Sequence, residues 1–287
     1  EEIARSDDQI SHRINDLIHE KAYGTHPLSW PVLGTKETVG KLSRDQLYDY
    51  FRSRYHPANL ILVVAGAVEP QAVIGMAERL CGAWTPLSPR PDRTEPPALP
   101  GRTAVCQTDR FQQQALVLAY PAPSAAHEDR ETADVLASIL GGHNSRFFWN
   151  IIQAGVSPQV AAGRMDYCDV GMMMAWGFSE PTKAEQLLEA MQSEIKKIAD
   201  GGVTEDEVQR VKNRTRTGLA TEAESPYYRL MQMMQEVDVL GRPRDVAERL
   251  AAVDAVSVKS VREYLGKWPL TKPGCLASLG PLDWPRQ

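Results

Sequence analysis

The chain has 287 residues, 43% hydrophobic and 24% charged, which fits a globular protein of one large or two smaller domains and excludes collagenous, low-complexity and wholly disordered chains. A net charge of −5 opposes nucleic-acid binding by phosphate neutralisation, and the longest apolar run, the nine residues 60–68, falls well short of the roughly 20 that span a bilayer. The four cysteines (Cys81, Cys106, Cys168, Cys275) form no C-x-x-C pair, which excludes a zinc ribbon; one or two disulfides stay open, and so does the compartment, cytoplasmic or periplasmic.

Within 1–23, Ile10, Ile14, Leu17 and Ile18 recur at helical spacing, and Pro27 and Pro31 break the pattern. His12, Asp16 and His19 lie near the opposite face; the default for such a face is solvation, and the alternative is an autonomous metal-binding module. Ser43 caps a helix carrying Leu47, Tyr50, Phe51 and Tyr55. Residues 60–68 read as a buried strand ending in Gly66, and 71–80 as a helix. The stretch 85–101, with six prolines and no periodicity, reads as a linker.

Strands are expected over 103–108, 114–120, 171–179 and 274–279. Helices are expected over 129–140, 145–153, 183–199, 204–220, 226–240, 244–252 and 257–266, with Gly141-Gly142 as a joint. The methionines at 172–174, and Met231, Met233 and Met234, read as core filler. Strands and helices mix without regular alternation, so the fold class is α+β.

Placing Ser257 on Ser43, an offset of 214 residues, aligns Val261 with Leu47, Tyr264 with Tyr50, Leu265 with Phe51, Leu276 with Leu62 and Gly280 with Gly66. Both stretches are a Ser-capped amphipathic helix running into an apolar strand that ends in Gly, which reads as an internal repeat. The second copy begins near Gly101, so a complete first copy would begin about 110 residues before Glu1, and the chain reads as one and a half copies.

The sequence resembles the pitrilysin/insulinase family of inverted-zincin metallopeptidases. The resemblance is carried by Glu1-Glu2-Ile3 to Asp7-Asp8, His26-Pro27-Leu28, Val32 to Thr35, Leu42-Ser43, Tyr55 to Leu60, Val64-Ala65-Gly66, Gly141-Gly142, Ser145 to Phe148, Gly155-Val156 and the helix from Val203. It implies tandem similar domains, each a mostly antiparallel sheet backed by helices, with 1–84 as the second half of a zinc-side domain, 85–101 as a Pro-rich linker and 102–287 as a second peptidase-like domain. In this family H-x-x-E-H places two histidines on one helix face to bind zinc, and a later glutamate completes the ligands.

No H-x-x-E-H occurs in this chain, and none of its six histidines forms such a pair. Carried by the repeat offset, the place of that motif falls opposite 129–140, where this copy is apolar. By the family pattern Glu2 is the third zinc ligand, against the alternative of a solvated terminal acid. Arg146 matches an arginine that holds the substrate main chain, against the alternative of an ion pair or a helix cap. Pro158 stands in the region where the family often has a substrate-binding tyrosine, and Tyr167, the nearest tyrosine, has a different spacing. The resemblance thus implies a zinc-dependent (Zn2+) endopeptidase acting on peptides or unfolded polypeptides, incomplete and inactive in this chain alone. A non-catalytic peptide-binding subunit or scaffold is the alternative, and a homodimer or a paired family subunit is the implied assembly.

Overall fold

A computed structural model describes residues 1–85 and 95–285. The linker read over 85–101 therefore lies partly outside the described residues. No described helix is long and apolar enough to cross a membrane. The four cysteines are free thiols, so no disulfide forms among them. The chain divides into two compact units, one drawn from Glu1–Leu33, Glu95–Arg216 and Leu250–Gln287, the other from Gly34–Thr94 and Thr217–Arg249.

The helices are α1 (Glu2–Asp7), α2 (Ile10–Tyr23), α3 (Lys36–Gly40), α4 (Arg44–Arg54), α5 (Pro70–Cys81), α6 (Arg130–Gly141), α7 (Ala184–Ala199), α8 (Glu205–Ala223), α9 (Pro226–Leu240), α10 (Val246–Asp254) and α11 (Val258–Lys267). The strands are β1 (Arg102–Gln107), β2 (Gln114–Ala122), β3 (Gln159–Asp166), β4 (Gly171–Ser179) and β5 (Cys275–Gly280). All five strands join one sheet in the order β1-β5-β2-β4-β3. Only the β1–β5 pairing is parallel, so the α+β class and the mostly antiparallel sheet backed by helices are as expected.

The first unit is built around this sheet. Along β2, Leu116, Leu118 and Tyr120 face one layer while Ala115, Val117 and Ala119 face the other, as a two-residue period requires. Both faces are covered, which explains the unbroken apolar run in the sequence. On one side Leu187, Met191, Ile195 and Ile198 of α7 join Leu136 and Leu140 of α6 and Val261 and Tyr264 of α11. On the other side Ile14, Ile18 and Ala22 of α2 lie over Ala115, Ala119 and Ala277, small residues that let the helix come close. The three methionines at 172–174 are buried between these layers as expected. Gly141 ends α6 at the expected joint and is also a close-approach residue: a Cβ there would sit 1.9 Å from the Ala162 backbone nitrogen of β3.

β3 is absent from the sequence reading. Its Ala161, Ala162 and Gly163 carry little strand preference, and its place is set by pairing with β4.

The second unit holds α3, α4, α5, the end of α8, α9 and the beginning of α10. Glu236, buried on α9, accepts from the Arg244 backbone N–H and guanidinium at 2.7 and 3.0 Å and pairs with Arg249 at 3.4 Å. Two expectations fail in this unit. Residues 60–68 form no strand: Leu60 has extended dihedrals (φ −118°, ψ 135°), but no described neighbour supplies a ladder, and Leu60, Ile61, Leu62 and Val64 are exposed. Met231 and Met234, expected as core filler, are exposed too.

The repeat reappears in the geometry. Ser43 and Ser257 each accept from the backbone N–H three residues on, in full capping boxes with Gln46 and Ser260. Gly66 and Gly280 share a backbone conformation near φ +141° and +151°, which side-chain-bearing residues rarely adopt.

Candidate functional site

The site forms where α6 ends. Gly142 leaves the helix in extended conformation, and Asn144 turns the chain with a left-handed φ of +53°, uncommon outside glycine. The buried Ser145 hydroxyl accepts from the Phe148 N–H at 3.3 Å and starts a single π-helical turn, Phe148–Ile152, a device frequent at functional sites. Phe147 and Ile151, one turn apart, are driven into the core. That anchorage leaves Arg146, Trp149 and Asn150 on the outer side, lining a cavity.

Arg146 is held from two directions. Its Nε and Nη2 donate to the two carboxylate oxygens of Glu207 at 2.7 and 2.8 Å, and Nη2 also donates to the Gly202 carbonyl at 2.6 Å. Both side chains are 13% exposed. Glu207 in turn closes a capping box at the start of α8: the Thr204 N–H and hydroxyl donate to it at 3.0 and 3.1 Å. The hydrogen bond to Glu207 raises the Arg146 pKa. Burial pushes the Glu207 carboxyl up, but the hydrogen bonds from Arg146 and Thr204 outweigh it and hold the group below its ordinary value. The Nη1 of Arg146 carries no hydrogen bond among the described residues.

The cavity beside this brace has a volume of about 360 Å³ and is lined by His143, Asn144, Arg146, Trp149, Arg210 and Arg214, among others. The Arg214 Nη1 donates to the His143 carbonyl at 2.7 Å. Gly142 permits that approach, since a Cβ there would meet Arg214 Nη2 at 2.8 Å. Glu207, Arg210 and Arg214 were not visible as site residues in the sequence reading. Their spacing of three and four residues, with Thr-x-x-Glu at the head of the helix, was the available signal.

Glu2 lies in the first turn of α1, exposed, and its carboxylate makes no hydrogen bond or ion pair among the described residues. It could lend one oxygen to a zinc ion. No group of three or more His, Cys, Asp or Glu able to hold a metal exists among the described residues, so the chain does not by itself fit zinc. The α2 histidines are separately engaged. His12 Nδ1 is 3.0 Å from the Ser6 hydroxyl. The His19 Nδ1–H donates to the Asn15 carbonyl at 2.7 Å, which leaves Nε2 to accept from the Tyr167 hydroxyl at 3.0 Å. Tyr167 thus belongs to the α2 face of the sheet.

Residues 41–215 match the family model described as the peptidase M16 inactive domain. An uncharacterized zinc protease of Bacillus subtilis, YmxG, is 25% identical over 98% of this chain and 68% of its own length. The beta subunit of the mitochondrial-processing peptidase of Pongo abelii is 23% identical over 93% of this chain and 57% of its own. Among solved structures, a protease from Helicobacter pylori superposes with a TM-score of 0.87 at 18% identity, covering 96% of this chain and 68% of that one. The chain spans about two thirds of the length of the curated bacterial relatives it matches.

Proposed function

The chain belongs to the peptidase M16 family, the pitrilysin/insulinase metallopeptidases whose bacterial relatives are named zinc proteases, and from that premise we propose that it is the substrate-holding part of a zinc-dependent endopeptidase acting on extended polypeptides. The catalytic His pair is carried by polypeptide outside these 287 residues. Residues 1–84 are then the second half of the zinc-side domain, and 102–287 are the second, non-catalytic domain. Glu2 serves as the glutamate ligand of the complete site. Arg146, fixed by Glu207 and Gly202, offers its Nη1 to a substrate main-chain carbonyl, so the brace orients the guanidinium before substrate arrives.

The observation that carries this reading is the contrast between the two copies of the repeat. Val261, Tyr264 and Leu276 are buried in one core cluster, while their counterparts Leu47, Tyr50 and Leu62 are exposed. An apolar surface of that extent marks an interface. By analogy with its second copy, the cover in this reading is a sheet and helices equivalent to β1 to β4 and α6 to α8.

The second reading, a non-catalytic partner subunit, is favoured by the named role of one relative as a subunit of a processing peptidase. One experiment separates the two. The protein is isolated in its native form and assayed for zinc and for cleavage of an unfolded peptide, with Glu2→Gln alongside. Stoichiometric zinc and cleavage, both lost in the variant, support the peptidase. Zinc and cleavage that Glu2→Gln leaves intact remove the ligand role, and their absence from the native form sinks the peptidase in favour of the partner subunit.

A further inference from the structure

The cavity beside Arg146 holds more positive charge than its own carboxylate neutralises. Glu207 is spent on Arg146. Arg210 and Arg214, four residues apart on α8, both line the cavity, and neither meets a carboxylate. Arg210 makes no hydrogen bond or ion pair among the described residues, Asp206 one turn earlier included. Arg214 donates only to a backbone carbonyl. Like charges at this spacing destabilise a helix, so the pair is better satisfied with an anion between them. Beside them Trp149 is 57% exposed, a flat apolar surface at the same opening.

Resting on the reading that Arg146 holds a peptide, the geometry points to a carboxylate subsite: Arg210 and Arg214 bind the carboxylate of an extended peptide, from an acidic side chain or from the C-terminus, and Trp149 packs against the residue next to it. Two guanidiniums in a chain of net charge −5 suit one carboxylate rather than a polyanion. The subsite selects among peptides and leaves the main-chain contact to Arg146.

The test uses the full chain and three fluorescent peptides of one apolar sequence: neutral with an amidated end, amidated with one internal glutamate, and without the glutamate but with a free C-terminal carboxylate. Fluorescence anisotropy should show one carboxylate peptide binding about tenfold tighter than the neutral one, which also identifies the source of the carboxylate. The preference should shrink as salt rises. Arg210→Gln, on an exposed helical position, should bring the three peptides to equal affinity while the neutral peptide binds as before; Arg210→Lys should keep part of the preference. Equal binding of all three by the unaltered chain, or a preference that survives Arg210→Gln, overturns the subsite while the Arg146 reading stands. No binding of any peptide overturns both.

Discussion

Leu62 and Leu276 occupy the same place in a repeated helix–strand unit, 214 residues apart, yet Leu62 is 69% exposed and Leu276 is 8% exposed. One leucine sits within a finished core, and the other sits at the surface of the second unit. The contrast cannot come from local sequence, because the capping serines and the terminal glycines have matching geometry.

The energetic consequence is unequal. Leu276→Ala should destabilise this chain by about 3 kcal/mol, the usual loss for a buried leucine that leaves a cavity. Leu62→Ala should change it by less than about 0.5 kcal/mol, as for a surface site. Urea unfolding of the two variants measures both.

The brace at Arg146 should show in acid. Glu207 has a folded pKa below its ordinary value, so it adds stability that is present above the unfolded carboxyl value of about 4.5 and is lost as pH falls through the lower folded value. Glu207→Gln should remove that contribution and flatten the acid limb of the stability profile. At neutral pH it should cost about 1 to 3 kcal/mol, because Arg146 loses its ionised acceptor. Denaturant midpoints from pH 3 to 7, taken on both proteins, check the sign and the window.

At the alkaline end, burial pushes the Tyr120 hydroxyl up to about 12. A raised folded pKa contributes stability that is complete below the unfolded value of about 10 and is lost as pH rises towards 12. Tyr120→Phe should therefore unfold at higher pH than the unaltered chain. Unchanged alkaline midpoints would count against burial as the cause.

Much of the fold was legible because it is local. Ser43 and Ser257 announce their helices by capping chemistry, and Pro226 with Gly241 bounds α9. What sequence could not give depends on distant partners. Residues 60–68 have a strand's composition but no ladder, and β3 has a ladder without a strand's composition. At the candidate site, Arg146 is singled out in the sequence only by the family pattern. Its partner Glu207, 61 residues further on, is not singled out at all, since an ion pair at that separation follows from packing rather than spacing.

The proposal to test first is that residues 1–84 are half of a domain completed by polypeptide outside these 287 residues. Amide hydrogen exchange over 60–68 tests it most directly, comparing this chain with the protein in its native form. The account predicts rapid exchange here, where the segment has no ladder, and strong protection in the native form, where it becomes a central strand. Equal, rapid exchange in both would contradict it.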